Sequence, residues 1–184
     1  MRAFNKMING QPYEINDEEL CEIRYQTRGK VDIFNSLNAR QTAEKDQLLR
    51  DIFGRVGSNV HFEKGMCIDY GINTKIGDNV FINFNFILLD CAQVSIGNNV
   101  FIGPAVQIYT AQHPLDIELR GRHIGSARPV TIGNDVWIGG GCIILPGVTI
   151  GDGSSVGAGS VVTRPIPSGV VACGNPCRVM KRLD

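Results

Sequence analysis

Aromatic residues are scarce in this chain, and histidine is scarcer. Aromatics make up 7% of 184 residues, with one tryptophan, Trp137, and three histidines, His61, His113 and His123. No apolar run approaches the roughly 20 residues that span a bilayer, and the opening MRAFNKMINGQPYEIND lacks the apolar stretch of a secretory leader. A cytoplasmic protein is therefore expected. Net charge is absent too: 18 Lys and Arg balance 18 Asp and Glu. That balance argues against a general affinity for nucleic acid or anionic membrane, both of which select basic surfaces. No CxxC occurs, and the six cysteines at 21, 67, 91, 142, 173 and 177 match no zinc framework. No metal site is expected, and free thiols are.

What is present falls into two textures. Residues 1–55 are charged and helical in pattern. Asn16 or Asp17 can cap a helix opening DEELCEIRYQ, whose acids sit in the first turn where the helix dipole favours them. Leu20, Ile23, Val31 and Phe34 give it an apolar face that Gly29 weakens. A second helix, TAEKDQLLRDIF, carries Leu48, Leu49, Ile52 and Phe53 and is expected to stop at Gly54.

From about residue 60 a different rhythm takes over. Ile132, Ile138, Ile144, Ile150, Val156 and Val162 each follow the last by six. Four positions after each of the first five comes a small or β-branched residue: Val136, Cys142, Val148, Ser154, Ser160. The same frame runs through Ile76, Ile82 and Leu88, then Ile96, Ile102 and Ile108, with two extra residues between Leu88 and Ile96. A period of six fits neither an amphipathic helix nor an alternating strand. It fits a triangular coil of 18 residues, with the aliphatic residue inward, a small one beside it and Gly, Asn or Asp at the corners. The chain thus reads as an all-β solenoid, a parallel β-helix spanning 56–184 behind an N-terminal α-helical segment. The rule for parallel crossovers would make the coil right-handed. One segment, 109–129, breaks the frame. It holds IYTAQHPLD and therefore His113, and Pro114 biases that histidine toward extended backbone.

The repeats VTIGNDVWIGGG and LPGVTIGDGSSVGAGSVVT resemble the left-handed β-helix acyltransferases of the hexapeptide-repeat family. NGQPY, DYGIN, FINFNFILLD, IYTAQHPLD and ACGNPCRV, in that order, resemble the maltose and galactoside O-acetyltransferases over nearly the whole chain. The resemblance implies a left-handed coil, a homotrimer and acetyl-coenzyme A bound in clefts between neighbouring solenoids. It implies acetyl transfer to a sugar hydroxyl, with no metal and no acyl-enzyme.

Direct transfer from a thioester to an alcohol needs a base to take the hydroxyl proton. A neutral imidazole suits that task. His113 falls where the family has its catalytic histidine; His123 is the weaker rival, and His61 reads as structural or solvated. The resemblance places Asn83, Asp69 and Tyr70 at the sugar, with Asp17 a further candidate and Asn85 read as a corner residue. Beside Asp90 the family often carries a second acid where this chain has Cys91, so Cys91 should bear on which sugar fits. For coenzyme A the matching positions are Gly140, Ala158, Thr163, Arg164, Arg178 and Lys181. Trp137, one position before an inward aliphatic, should face outward, either at a trimer interface or beside the pantetheine arm. Cys142 takes a small inward position and is not expected to be a nucleophile. Other readings are transfer to another hydroxylated acceptor, such as a polysaccharide unit or an antibiotic, and a non-catalytic assembly platform. The β-helical carbonic anhydrases need three metal-binding histidines, and no histidine follows residue 130.

Overall fold

The hexapeptide frame folds as its period demands. A computed structural model describes residues 2–183. Each step of about six residues lays down a strand of two to four residues and turns a corner, so successive strands fall on three faces in rotation. The first face stacks Arg55–Val56, Thr74–Ile76, Val94–Ile96, Val130–Ile132 and Thr149–Ile150. The second stacks Val60–Phe62, Val80–Ile82, Phe101–Ile102, Trp137–Ile138, Ser155–Val156 and Val170–Cys173. The third stacks Cys67–Ile68, Ile87–Leu89, Gln107–Tyr109, Ile143–Ile144 and Val161–Val162. Pairing between coils is parallel and in register: Ile82, Ile102, Ile138, Val156 and Ala172 form one column. Every aliphatic of the frame is at most 4% exposed, and Cys142, Ser154 and Ser160 are fully buried beside them.

The corners explain the recurring Asn and Asp. Between the first and second faces, Asn59, Asn79, Asn99 and Asp135 hold φ between 54° and 57°, a left-handed conformation that short polar side chains tolerate. Their side chains bond up the edge: Asn59 donates to Asn79 at 3.0 Å, Asn79 to Asn99 at 3.1 Å, and Asn99 to Asp135 at 2.9 Å. Asn85, at φ 59°, is a corner residue as read.

The faces differ in what they turn outward. The first presents Arg55, Lys75, Ser95, Thr131 and Thr149, all polar. The second presents His61, Phe81, Phe101 and Trp137 in register. His61 stacks on Phe81 at 5.4 Å, and Phe101 and Trp137 are more than half exposed. The third presents Ile87, Ile143 and Val161 around Gln107.

Helices close the N-terminal end. They are α1 (Ala3–Ile8), α2 (Glu18–Ser36) and α3 (Thr42–Ile52). Phe34, Leu49, Ile52 and Phe53 join the core of the first coil, where Phe53 stacks on Phe62 at 5.2 Å. Asp17 is the N-cap of α2, its Oδ1 accepting from the Glu19 N–H at 3.0 Å. Gly29 does not break that helix. The expected glycine stop of α3 is different: the helix ends at Ile52, and Phe53 is already extended. Gly54 is needed because a Cβ there would collide with the Ile72 carbonyl. At the other end the strand Arg178–Arg182 runs back antiparallel on Val170–Cys173.

The excursion at 109–129 is ordered. Ala111–Gln112 pairs antiparallel with Ile124–Ala127, and α4 (Ile117–Gly121) lies at the tip. Tyr13–Glu14 adds a third strand, tying the N-terminal segment to the excursion. Among the described residues no helix is long and apolar enough to cross a membrane.

Candidate functional site

The edge between the third and first faces is where the coil departs from regularity. Three successive corners there are long: Asp69 to Asn73, Asp90 to Gln93, and the excursion that leaves after Thr110. Asp90 braces them from below. Fully buried, it accepts from the backbone N–H of Tyr70 at 2.9 Å, that of Gly71 at 3.1 Å and the Thr74 hydroxyl at 2.9 Å. Burial pushes its carboxyl up to about 7, while those three donors pull the other way. Thr110 ties the next coil down, accepting from the Ala92 N–H at 2.9 Å.

Above this floor lies a hollow of about 220 Å³. The excursion contributes Ala111, Gln112 and His113; the corners contribute Asp69, Leu89 and Cys91. The N-terminal segment adds Tyr13, Ile15 and Asn16, and α2 adds Arg24 and Arg28. His113 is exposed at its mouth. Cys91 is buried, which pushes its thiol up to about 11, so it meets a ligand as a neutral group. Arg24 is held from three sides: it donates to the Tyr70 hydroxyl at 2.5 Å, the Ile15 carbonyl at 2.9 Å and the Cys21 sulfur at 3.1 Å. Arg28 pairs with Asp69 at 2.7 Å. Among the described residues no His, Cys, Asp or Glu cluster could hold a metal ion.

His113, Asp69 and Cys91 are thus brought together. The other three sugar candidates, Tyr70, Asp17 and Asn83, are not. Tyr70 is 0% exposed; its ring lies in the floor and its hydroxyl meets Arg24, so it reaches a ligand only through that arginine. Asp17 spends its carboxylate on the α2 cap and borders a separate hollow with Lys6 and Pro12; its neighbour Asn16 faces the site.

The remaining candidates occupy other parts of the solenoid. Asn83, Gly140 and Ala158 lie on the edge between the second and third faces, each just past its member of the Ile82, Ile138, Val156 column. Asn83 Oδ1 accepts from the Phe84 N–H at 2.8 Å. The track is narrow because glycine lets the coils close up: a Cβ on Gly139 would lie 2.5 Å from the Ala158 nitrogen. Thr163 and Arg164 are exposed past the last strand of the third face, and Arg178 and Lys181 are exposed on the returning strand. Trp137 faces outward as expected. Cys142 is buried, its Sγ on the Gly157 carbonyl at 3.1 Å. His61 stacks on Phe81, and His123 sits at φ 56° with its carbonyl accepting from the Ile15 N–H; both are exposed and neither lines the hollow.

Sequence reasoning missed Asn16, Arg24, Arg28 and Tyr13. Arg24 and Arg28 are four apart and share a helix face, but nothing local says what that face meets.

Comparison with known proteins bears on the fold and the family. Residues 6–57 match the maltose acetyltransferase hexapeptide capping motif, and 129–164 match the bacterial transferase hexapeptide, six repeats. The crystal structure of a maltose O-acetyltransferase from Clostridium difficile 630 superposes with a TM-score of 0.99 at 45% identity, covering 100% of this chain and 98% of that one. A galactoside acetyltransferase in complex with coenzyme A superposes with a TM-score of 0.96 at 38% identity, covering 100% and 92%. The galactoside O-acetyltransferase of Escherichia coli is 41% identical over 91% of this chain and 82% of its own length. The coil is left-handed, as in these acetyltransferases. The right-handed rule rests on strand twist feeding a crossover, and strands of two or three residues accumulate little twist. By its capping segment, its repeats and its likeness along the whole length, the chain belongs to the maltose and galactoside O-acetyltransferase family of hexapeptide-repeat acyltransferases.

Proposed function

We propose that the protein transfers an acetyl group from acetyl-coenzyme A to a hydroxyl of a sugar in the cytoplasm, with His113 as general base and no acyl-enzyme. One observation carries this reading: His113 opens onto a hollow beside a carboxylate, Asp69, while a smooth track of Gly140 and Ala158 lies on a different edge. A single protomer leaves these two halves apart. A homotrimer, with the aromatic second face and the aliphatic third face turned toward neighbours, brings one protomer's excursion to another's track.

Acetyl-coenzyme A supplies an activated acyl thioester. Small residues at Gly140 and Ala158 let its extended arm lie close to the coil, with Trp137 flanking, and Thr163, Arg164, Arg178 and Lys181 offer donors to its phosphates. That it is the donor is supported by the coenzyme-A complex of the galactoside acetyltransferase neighbour. Asp69 accepts from sugar hydroxyls, Asn83 contacts the acceptor across the cleft, and Cys91 sets an uncharged boundary. His113 removes the hydroxyl proton as the oxygen attacks, then returns a proton to the departing sulfur. Such a base contributes on the order of 10²–10⁴-fold.

The test follows free thiol released from acetyl-coenzyme A across a panel of sugars, with the mass of the particle measured by light scattering. Sugar-dependent thiol release by a trimer is the expected result. No release with any sugar, together with no coenzyme binding by calorimetry, or a monomer in solution, refutes the proposal.

A further inference from the structure

The geometry points to Arg28 as a specificity-determining residue that, with Asp69, selects acceptors carrying two adjacent hydroxyls; this rests on the function proposed above. Arg28 and Asp69 both line the acceptor hollow and meet at 2.7 Å across its wall. On the far side of that wall is a second hollow of about 370 Å³, which both residues also line. The pair is held at one point only, Nη2 to Oδ1. Asp69 Oδ2 and the other guanidinium nitrogens of Arg28 have no protein partner among the described residues. One mouth therefore offers a free acceptor and free donors side by side. Neighbouring hydroxyls on a sugar ring match that pattern: one donates to the carboxylate and the next accepts from the guanidinium, each a charge-assisted bond.

A purely structural role fits poorly. The Arg28 side chain is 54% exposed, and exposed ion pairs contribute little to stability. Helix α2 is already fixed without it. Leu20, Val31 and Phe34 are buried, Thr27 donates to the Tyr70 carbonyl at 2.9 Å, and Asn35 bonds Met66 and Gly65. The position beside the site is what remains to explain the guanidinium.

The experiment compares wild type with Arg28→Met, which keeps the apolar stem, and Arg28→Lys, which keeps charge without the fork. Acceptors are a methyl glycoside and its monodeoxy analogues at ring positions other than the acetylated one. Losing a bond to a charged group corresponds to roughly 10- to 100-fold. Arg28→Met should therefore lower kcat/KM for the parent glycoside by that factor while KM for acetyl-coenzyme A holds. One deoxy analogue should be poor for wild type yet match the parent in Arg28→Met, and Arg28→Lys should fall between. The doubly reversed Arg28→Asp with Asp69→Arg rebuilds an ion pair in the wrong order and should not rescue turnover. Rescue by the reversed pair, or an unchanged deoxy penalty in Arg28→Met, overturns the proposal. Glycoside binding is measured by calorimetry in parallel. Equal binding by wild type and Arg28→Met overturns it even if no acetyl transfer occurs, which separates its failure from that of the proposed reaction.

Discussion

Replacing Asp90 by asparagine should remove most of this protein's loss of stability with rising pH. The amide keeps the geometry: its oxygen can accept from Tyr70 and Gly71, and its nitrogen can donate to the Thr74 hydroxyl, so all three contacts of the carboxylate survive. Only the charge goes. In the folded chain burial raises this carboxyl from 3.8 to about 7, so the folded state holds the proton more tightly than the unfolded one. The resulting stabilisation is complete below the unfolded value and is lost as pH rises through about 7. Each tenfold change in proton affinity is worth about 1.4 kcal/mol, giving roughly 4 kcal/mol in all, of which about two-thirds is lost between pH 5 and 8. In a chain of this size 1 kcal/mol moves Tm by about 2–4 °C, so wild type should lose roughly 5–10 °C over that window. Thermal unfolding at fixed protomer concentration is the assay, since the proposed trimer would make Tm concentration-dependent. Asp90→Asn should lose much less. Equal losses in both proteins, or a wild type that gains stability over the window, would refute the reasoning.

Three further outcomes are expected. His113→Ala should lower turnover by at least about a hundredfold with an unchanged Tm, and near-normal turnover would remove His113 from the mechanism. Ala158→Leu should raise KM for acetyl-coenzyme A by at least about tenfold, equivalent to ~1.4 kcal/mol, leaving KM for the sugar near wild type in the same initial-rate assay. Ile138→Ala empties a fully buried position between Ile102 and Val156 and should cost about 2–5 kcal/mol by urea denaturation.

The solenoid was legible because its determinants are local. Each aliphatic of the frame has to enter a narrow interior, and each corner has to accept a left-handed residue, so the rule repeats every six positions. Trp137 and Cys142 followed from the frame alone. The candidate site was legible only where a motif pointed to it, as with His113, which lines the hollow. Tyr13 pairs with Gly125 across more than a hundred positions, and Arg28 reaches Asp69 from a helix whose docking no local pattern encodes. Asp17 shows the opposite failure: one acid suited two tasks, and the helix N-terminus claimed it. Tyr70 reads as polar in sequence, yet its ring is large enough to be drawn wholly under the corner, leaving Arg24 to face the hollow in its place.

A repeat carries no instruction to stop. Interior coils are paired on both sides, but a bare outermost coil would present unpaired backbone groups that template another, whether from its own chain or a stranger's. At the start, α2 and α3 cover the first coil with Phe34 and Leu49. At the finish, reversing direction in Arg178–Arg182 ends the parallel stack and dresses its rim in positive charge. The terminator of the spiral thus draws on the same cations proposed to hold a nucleotide, so trimming the tail to test that proposal would also expose a sticky rim.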